Sequence, residues 1–524
     1  MESSDKVGLM PSRSVICVAV FCSLGVAFQG SQARVSFEQA RQFYEQQRWD
    51  EAEAAASQAI AADPRMGDAE VLLGLIATLR SKFSDAEKHF SRAVALQPEN
   101  YRTHAYLGAT YLQEKRLPEA ASAFRKVLEL NPDNVSAHYN LGVICLAQQA
   151  PSQALSYFES VLHGNPSDVP ALIGAMESQL LLRKLADARR SAEQLAQLLA
   201  DRDPRLFQAA SLLAQHGESV VAIPMMERAR RAYPDSYDVN YNLALALLET
   251  DQLDRAADVL RPFAGSRGKP EASDLLGQIE EKRGQQQAAE NAFREAAEGD
   301  PANEDFRFDY GNALVQHGKL ALATEVFRTA SSADPSSWKL RLGLGSALYL
   351  SGDYLSAVRE LMETVRLKPD FIAAYFLLGE AYDSAGSYQP AILKALQRYL
   401  KNGPRDPWAY YHYAIILRSE WRNYDGATDA LQEALRLNPK FAEAHLELGI
   451  IALSQGKPEP AIAHLEKAAS LDPGLAAAHY RLGLAYQKLG NQERAKAELD
   501  RFRALKDQEH QRARVLESLA AVGR

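Results

Sequence analysis

"HLELGIIALSQGKPEPAIAHLEKAASLDP" spans His445–Pro473, and 34 residues further on "HYRLGLAYQKLGNQERAKAELDRFRALKD" spans His479–Asp507. Both place a Leu-Gly pair near the start (Leu448-Gly449, Leu482-Gly483), an alanine in the middle (Ala461, Ala495) and a leucine four positions later (Leu465, Leu499). Most other residues differ. Prolines carry the spacing outward: Pro64, Pro98, Pro132 and Pro166 stand 34 apart, as do Pro301, Pro335 and Pro369, and the pair Pro439 and Pro473. A fixed period of this size marks a stacked array of supersecondary units.

With this proline numbered position 32, fourteen units fit between Ala33 and Glu509, with small length changes near Pro270, Pro404 and Arg422. Position 20 is alanine in every unit, from Ala52 through Ala391 to Ala495. Position 8 is Gly or Ala in every unit but the fifth, where it is Met176. Each unit shows two apolar stretches at helical period, near positions 4, 7, 8 and 11 and near 20, 24 and 27, with a turn at about 15–18 between them. Two helices that cross closely need small side chains at the crossing, because a larger one forces the axes apart at roughly 1–3 kcal/mol. Position 24 (Phe90, Phe124, Phe158, Phe293, Phe327) is expected to fill the gap to the next unit. The proline ends the second helix, which it cannot continue. The pattern predicts an all-α fold of about fourteen helix–turn–helix repeats over residues 34–509, with the stretch 261–273 as a possible joint.

The Leu-Gly pair, the aromatic after it, then Ala, Phe and Pro (Leu107-Gly108, Tyr111, Ala120, Phe124, Pro132) resemble the tetratricopeptide repeat family, and the pattern recurs in register over most of the chain. The resemblance implies a right-handed superhelical solenoid whose first helices line a concave groove. It also implies a non-enzymatic surface that binds other proteins.

The two ends depart from the repeat. "MPSRSVICVAVFCSLGVAFQGSQA" (Met10–Ala33) has Arg13, an apolar run from Val15 to Phe28 and small residues at its end. This is the layout of a secretory signal peptide. The run is shorter than the ~20 residues that span a bilayer as a helix. Residues 1–33 are therefore expected to be a cleaved signal, with Met10 as a second candidate start, and the protein is expected to be periplasmic or secreted. The tail 510–524 has Val515, Leu516 and Leu519 at helical spacing and is expected to form a C-terminal capping helix.

The chain holds 59 basic and 67 acidic residues, a net charge of −8, with no basic run. Phosphate binding needs clustered Lys and Arg, so nucleic acid is not an expected partner. Cys17 and Cys22 leave with the signal, so Cys145 is expected to be a small buried hydrophobe. "GLGSAL" (Gly343–Leu348) lacks the third glycine and the preceding strand of a dinucleotide loop. No HExxH, CxxC or nucleophile elbow occurs, so neither enzyme activity nor a cofactor is expected. His104, His138, His445 and His479 all stand at position 4, one per repeat, where packing rather than metal ligation is expected, since ligands must converge on one ion.

In the family, positions 2, 5, 6, 9, 12 and 13 of the first helix face the groove. Position 5 here is mostly aromatic, including Phe37, Tyr139, Phe207, Tyr241, Phe308, Phe376, Tyr411 and Tyr480, and it is never Lys or Arg. Relatives that clamp a C-terminal carboxylate use Lys there, so that mode is not implied. The asparagine ladder that holds peptide backbone in other relatives is reduced to Asn140, Asn242 and Asn312. These eleven residues are the candidate partner-binding groove, although aromatics at position 5 also pack locally in such repeats. The resulting expectation is an exported assembly or adaptor scaffold that binds proteins or extended peptide segments. A periplasmic peptide-binding chaperone is the alternative.

Overall fold

The computed structural model describes residues 32–265, 268–403 and 405–506. The expected signal (1–33, bar its last two residues) and the capping helix (510–524) lie outside the described residues. Gln32 and Ala33 begin the first helix, Gln32–Glu45. The described residues form helices joined by short turns, with no strand among them. They divide into two compact units, with the boundary between Val239 and Asn240.

Each repeat is an antiparallel helix pair, as Tyr101–Gln113 and Leu117–Leu130 illustrate. Seven of the first helices start at side-chain caps: Asn100, Asn134, Asp168, Asp203, Asn303, Ser337 and Asp406 each accept a hydrogen bond from an N–H two or three residues on. Such a cap contributes about 1 kcal/mol. The first helices end in a left-handed residue. Every one of the fourteen repeats has one there: Gln47, Ser81, Lys115, Gln149, Arg183, Gly217, Asp251, Gly284, Gly318, Gly352, Gly386, Arg422, Gly456 and Gly490. The next N–H returns to the last turn of the helix, as in Lys82 N to Ala77 O (2.8 Å) and Asp353 N to Leu348 O (3.0 Å).

The crossing is set by a pair of positions rather than by one. Position 24 stands against position 8 of its own repeat. A Cβ on Gly74, Gly142 or Gly311 would lie 2.5–2.7 Å from the ring of Phe90, Phe158 or Phe327. The same rings also reach the following repeat, where Tyr106 stacks on Phe90 at 5.5 Å and Gly174 and Gly343 leave room for Phe158 and Phe327. The expectation that position 24 fills the gap to the next unit therefore holds, with its own glycine as the second wall. Repeat five exchanges the volumes: Met176 on the first helix is fully buried and position 24 is Ala192. The pair keeps its volume, so the exception at position 8 is a compensated one.

Repeat eleven corrects the alanine column. Its Ala391 is exposed, and Ile392 takes the fully buried crossing slot. From the left-handed Gly352 to the crossing Ala357 is five residues; from Gly386 to Ile392 is six. The extra residue thus precedes the second helix (Gln389–Lys401) rather than lying near Pro404. The first helix is correspondingly short, Ile372–Glu380, and continues as two 3₁₀ turns, Tyr382–Ser384 and Gly386–Tyr388. The length change near Arg422 is a first helix drawn out to fifteen residues, Pro407–Trp421. At 261–273 a shortened second helix (Leu253–Leu260) passes through a 3₁₀ turn (Arg261–Phe263) to the next first helix at Pro270.

Candidate functional site

Position 4 ties four of the inter-repeat turns to the helix that follows. His104 Nε2 donates to Pro98 O (2.9 Å) and His138 Nε2 to Pro132 O (2.8 Å). Arg341 Nε and Tyr375 Oη make the same six-residue reach to Pro335 O (3.0 Å) and Pro369 O (2.9 Å). Position 4 also meets position 23 of its own repeat: Glu70 with His89 (2.6 Å), Arg341 with Glu360 (2.8 Å), His445 with His464 (3.2 Å) and His479 with Glu498 (2.6 Å). His104 and His138 therefore pair the carbonyl of the preceding turn, while His445 and His479 bond across their own repeats. Cys145 is buried as expected, and burial pushes its thiol up, away from the reactive thiolate.

The position-5 aromatics are half-buried, and several lie on the position-24 ring nineteen residues on. Tyr139 meets Phe158 edge-on at 5.9 Å, and Phe308 meets Phe327 at the same distance. Phe37 packs against the core of the first repeat, and Phe207 is half-buried. Tyr480, 38% exposed, lies 5.2 Å from Phe502. Asn140 spends its amide inside its own helix, donating to Ser136 O at 2.8 Å. Asn242 and Asn312 are half-buried. Tyr241 is half-buried, and its phenol is pushed up by burial and by the charge of Asp274.

Within the second unit the first helices of successive repeats touch in a row: Glu304–Gln316, Trp338–Leu350, Ile372–Glu380, Pro407–Trp421, Ala442–Ser454 and Ala476–Lys488. Phe376 and Tyr411, both on this row, are brought into one cluster by Trp408, which lies 5.3 Å from Phe376 and 5.5 Å from Tyr411. Phe441 closes the cluster at 4.6 Å from Trp408. The cause lies in repeat eleven. Its position 8 is Gly379, and with the second helix turned by one residue the buried Leu396, not a ring, takes the position-24 place. His412 of the next repeat fills the space beside the glycine, with a Cβ on Gly379 falling 2.3 Å from the imidazole. Burial pushes the His412 pKa down to about 4, so the ring is neutral at physiological pH.

An open cavity of about 490 Å³ lies against this cluster, at the N-terminal ends of the first helices of repeats eleven and twelve. Phe371, Ile372, Phe376, Trp408, Asp370 and Asp406 line it. Asp406 is 3% exposed; its Oδ1 accepts from Trp408 N at 3.0 Å, while its Oδ2 is buried with no hydrogen-bond partner among the described residues. The dense "DPWAYYHYA" (Asp406–Ala414) is the sequence signal for this site, but Trp408, His412, Phe441 and Asp406 were not among the groove candidates. Position 5 carries a charge in one repeat, at Asp274. It is buried, Oδ2 accepts from Gln278 Nε2 at 2.8 Å, Oδ1 has no hydrogen-bond partner among the described residues, and burial with the nearby Asp309 pushes its pKa up to about 6. Among the described residues no cluster of three metal-ligating side chains occurs, and no helix is long and apolar enough to cross a membrane.

Among solved structures, the anaphase-promoting-complex hetero-tetramer Cut9-Hcn1 aligns with 15% identity over 87% of this chain and 96% of that one, with a TM-score of 0.34. The Naa15/Naa10 complex bound to HypK-THB aligns with 17% identity over 90% of this chain and 68% of that one, also at 0.34. Pseudomonas aeruginosa pilF aligns with 20% identity over 42% of this chain and 96% of that one, at 0.33. No curated protein sequence matches the chain. Tetratricopeptide repeat family models match residues 37–101, 80–134, 107–169, 275–337, 308–370, 342–407 and 420–476, and a second such model matches 213–279 and 452–519. These matches cover more than half of the chain in the register of the helix pairs, and the chain belongs to the tetratricopeptide repeat family.

Proposed function

We propose that this protein is an exported scaffold that holds partner proteins for an envelope assembly, and that the row of first helices in its second unit is the contact surface. The family's repeats are protein-interaction surfaces, and the observation that carries the finer reading is the Phe376–Trp408–Tyr411–Phe441 cluster beside an open cavity. Half-buried aromatics next to a concavity are the composition of interface hot spots. They bring large contact area that is already held in place, so little side-chain freedom is lost on binding. Export is supported by the charged, apolar and small-residue succession of Met10–Ala33.

Cross-linked capture from the native host, with a C-terminal tag, tests the reading beside a variant carrying Tyr241→Ala, Phe308→Ala and Phe376→Ala. One stoichiometric partner, lost in the variant, is the expected result. Many weak partners instead of one would favour a peptide-holding chaperone. N-terminal sequencing of the captured chain tests export: a mature start near Arg34 is expected, and an intact Met1 or Met10 start would end that part of the proposal.

A further inference from the structure

We infer that the cavity between repeats eleven and twelve receives a lysine or arginine side chain of a partner protein, seated against the Phe376 and Trp408 rings with its charge at the Asp406 carboxylate. This rests on the scaffold reading above and specifies one contact of it.

Three features of the cavity converge on a cation with an aliphatic stem. Its walls are aromatic and aliphatic, from Phe371, Ile372, Phe376 and Trp408. A protonated side chain is attracted to the face of such rings, to Trp most strongly, while its methylenes cover apolar surface. Its polar groups are acidic. Asp370 stands at the exposed rim, already bonded to Lys368 at 3.2 Å, and Asp406 is the buried one. A buried carboxylate oxygen without a donor is costly, and a donor brought by a ligand recovers that cost. Burial pushes the Asp406 carboxyl up from its ordinary value, against the N–H groups of Trp408 and Ala409 at the helix end it caps, and a cation seated beside it would favour the ionised form.

The surroundings exclude the other occupants. An acidic side chain would meet two carboxylates. A purely apolar one would cover Asp406 Oδ2 and leave it unpaired. His412, packed behind Phe376 and Trp408 at 5.5 and 5.9 Å, carries no charge at neutral pH that would repel a cation.

The chain has four tryptophans, Trp49, Trp338, Trp408 and Trp421, so fluorine NMR of the full-length protein labelled with 5-fluorotryptophan gives a direct readout. The Trp408 signal is assigned with Trp408→Phe. The probes are the capped peptides acetyl-Ala-Lys-Ala-amide and its arginine and norleucine counterparts. The lysine and arginine peptides are expected to shift the Trp408 signal saturably and leave Trp49 unmoved. The norleucine peptide is expected to bind about ten-fold more weakly. Asp406→Asn keeps an oxygen to cap the helix and removes the charge. It is expected to weaken the lysine peptide about ten-fold and leave the norleucine peptide unchanged. If Asp406→Asn does not fold, judged by the other tryptophan signals, Phe376→Leu supplies the same comparison by removing a ring face. Equal binding of lysine and norleucine, undiminished lysine binding in the variant, or a silent Trp408 each overturns the assignment. A silent Trp408 together with a captured partner overturns the pocket and leaves the scaffold standing. A lysine-specific Trp408 response in a chain that captures no partner does the reverse.

Discussion

Repeats ten and eleven are neighbours with the same small residues in the same columns, Gly345 with Ala357 and Gly379 with Ala391, yet they pack differently. In repeat ten, Ala357 is fully buried at the crossing and Leu361 stands against Gly345, 2.9 Å from where a Cβ would be. In repeat eleven, the second helix is turned by one residue. Ile392, Leu396 and Tyr399 face the core, and Ala391 faces out. The space beside Gly379 is left to His412, and Tyr375 stacks on Tyr399 at 4.0 Å. A column of small residues therefore does not fix a helix crossing. What fixes it is the summed volume at the crossing and the number of residues in the turn before it.

The sharpest way to break this comparison is to put a charge in both columns. Ala357→Glu buries an unpaired carboxylate and is expected to cost about 4 kcal/mol or more in the second helix of repeat ten. Ala391→Glu points to water and is expected to stay within about 0.5 kcal/mol. Hydrogen exchange resolved by helix is the right measurement, because long repeat arrays do not unfold in one step. Equal losses at both sites would return Ala391 to the crossing.

The histidine that fills repeat eleven gives a pH test. His412 has an ordinary pKa of 6.5 in the unfolded chain and about 4 in the fold. The fold holds it neutral, so its contribution is fully present above pH 6.5 and is lost as pH falls through about 4. Asp274 has the opposite sign. Its pKa is 3.8 unfolded and about 6 folded, so its contribution is present below pH 3.8 and is lost as pH rises through about 6. Each effect is at most about 3 kcal/mol. His412→Leu copies the first crossing, where the buried Leu72 packs with Ala40 and Ala56, and it is expected to remove the acid-side loss around repeats eleven and twelve. Asp274→Asn is expected to stabilise repeat eight at pH 7 and to have no effect at pH 3. Unchanged pH profiles of local exchange would mean that these groups are hydrated in the folded chain.

The smallest expected difference lies in the turns. Gly352 has φ +85° and Gly386 has φ +52°, the latter inside the range open to other residues. Gly352→Ala is expected to lose about 1–2 kcal/mol and Gly386→Ala under about 1 kcal/mol. The reverse order would mean that the difference in φ between the two turns does not set the cost.

Much of the candidate site could be read in advance, and the remainder was missed for an identifiable reason. Phe376 and Tyr411 were named in advance because the resemblance to the repeat family implies that position 5 faces the groove. Trp408 and Phe441 stand at other positions, and they join the cluster only through packing between the helices of neighbouring repeats. Asp406 reads as an ordinary N-cap. That its second oxygen is buried beside a cavity depends on where Phe371 and Trp408 come to rest. The position-4 histidines were legible as packing residues. Their reach to the proline carbonyl was not, since it needs the geometry of the turn between repeats.

The sequence by itself determined the helix pairs, their number, the turn positions and the family. These follow from local periodicity and from residues whose backbone chemistry acts where they stand: proline, the cap residues and the small residues at each crossing. The tertiary structure alone decided which residue of repeat eleven faces the core, which side chain fills the crossing beside Gly379 and which aromatics meet. Those outcomes depend on pairs of side chains brought together across helices. A vacant volume is closed by whichever neighbour can reach it, and reach is a property of the packed chain.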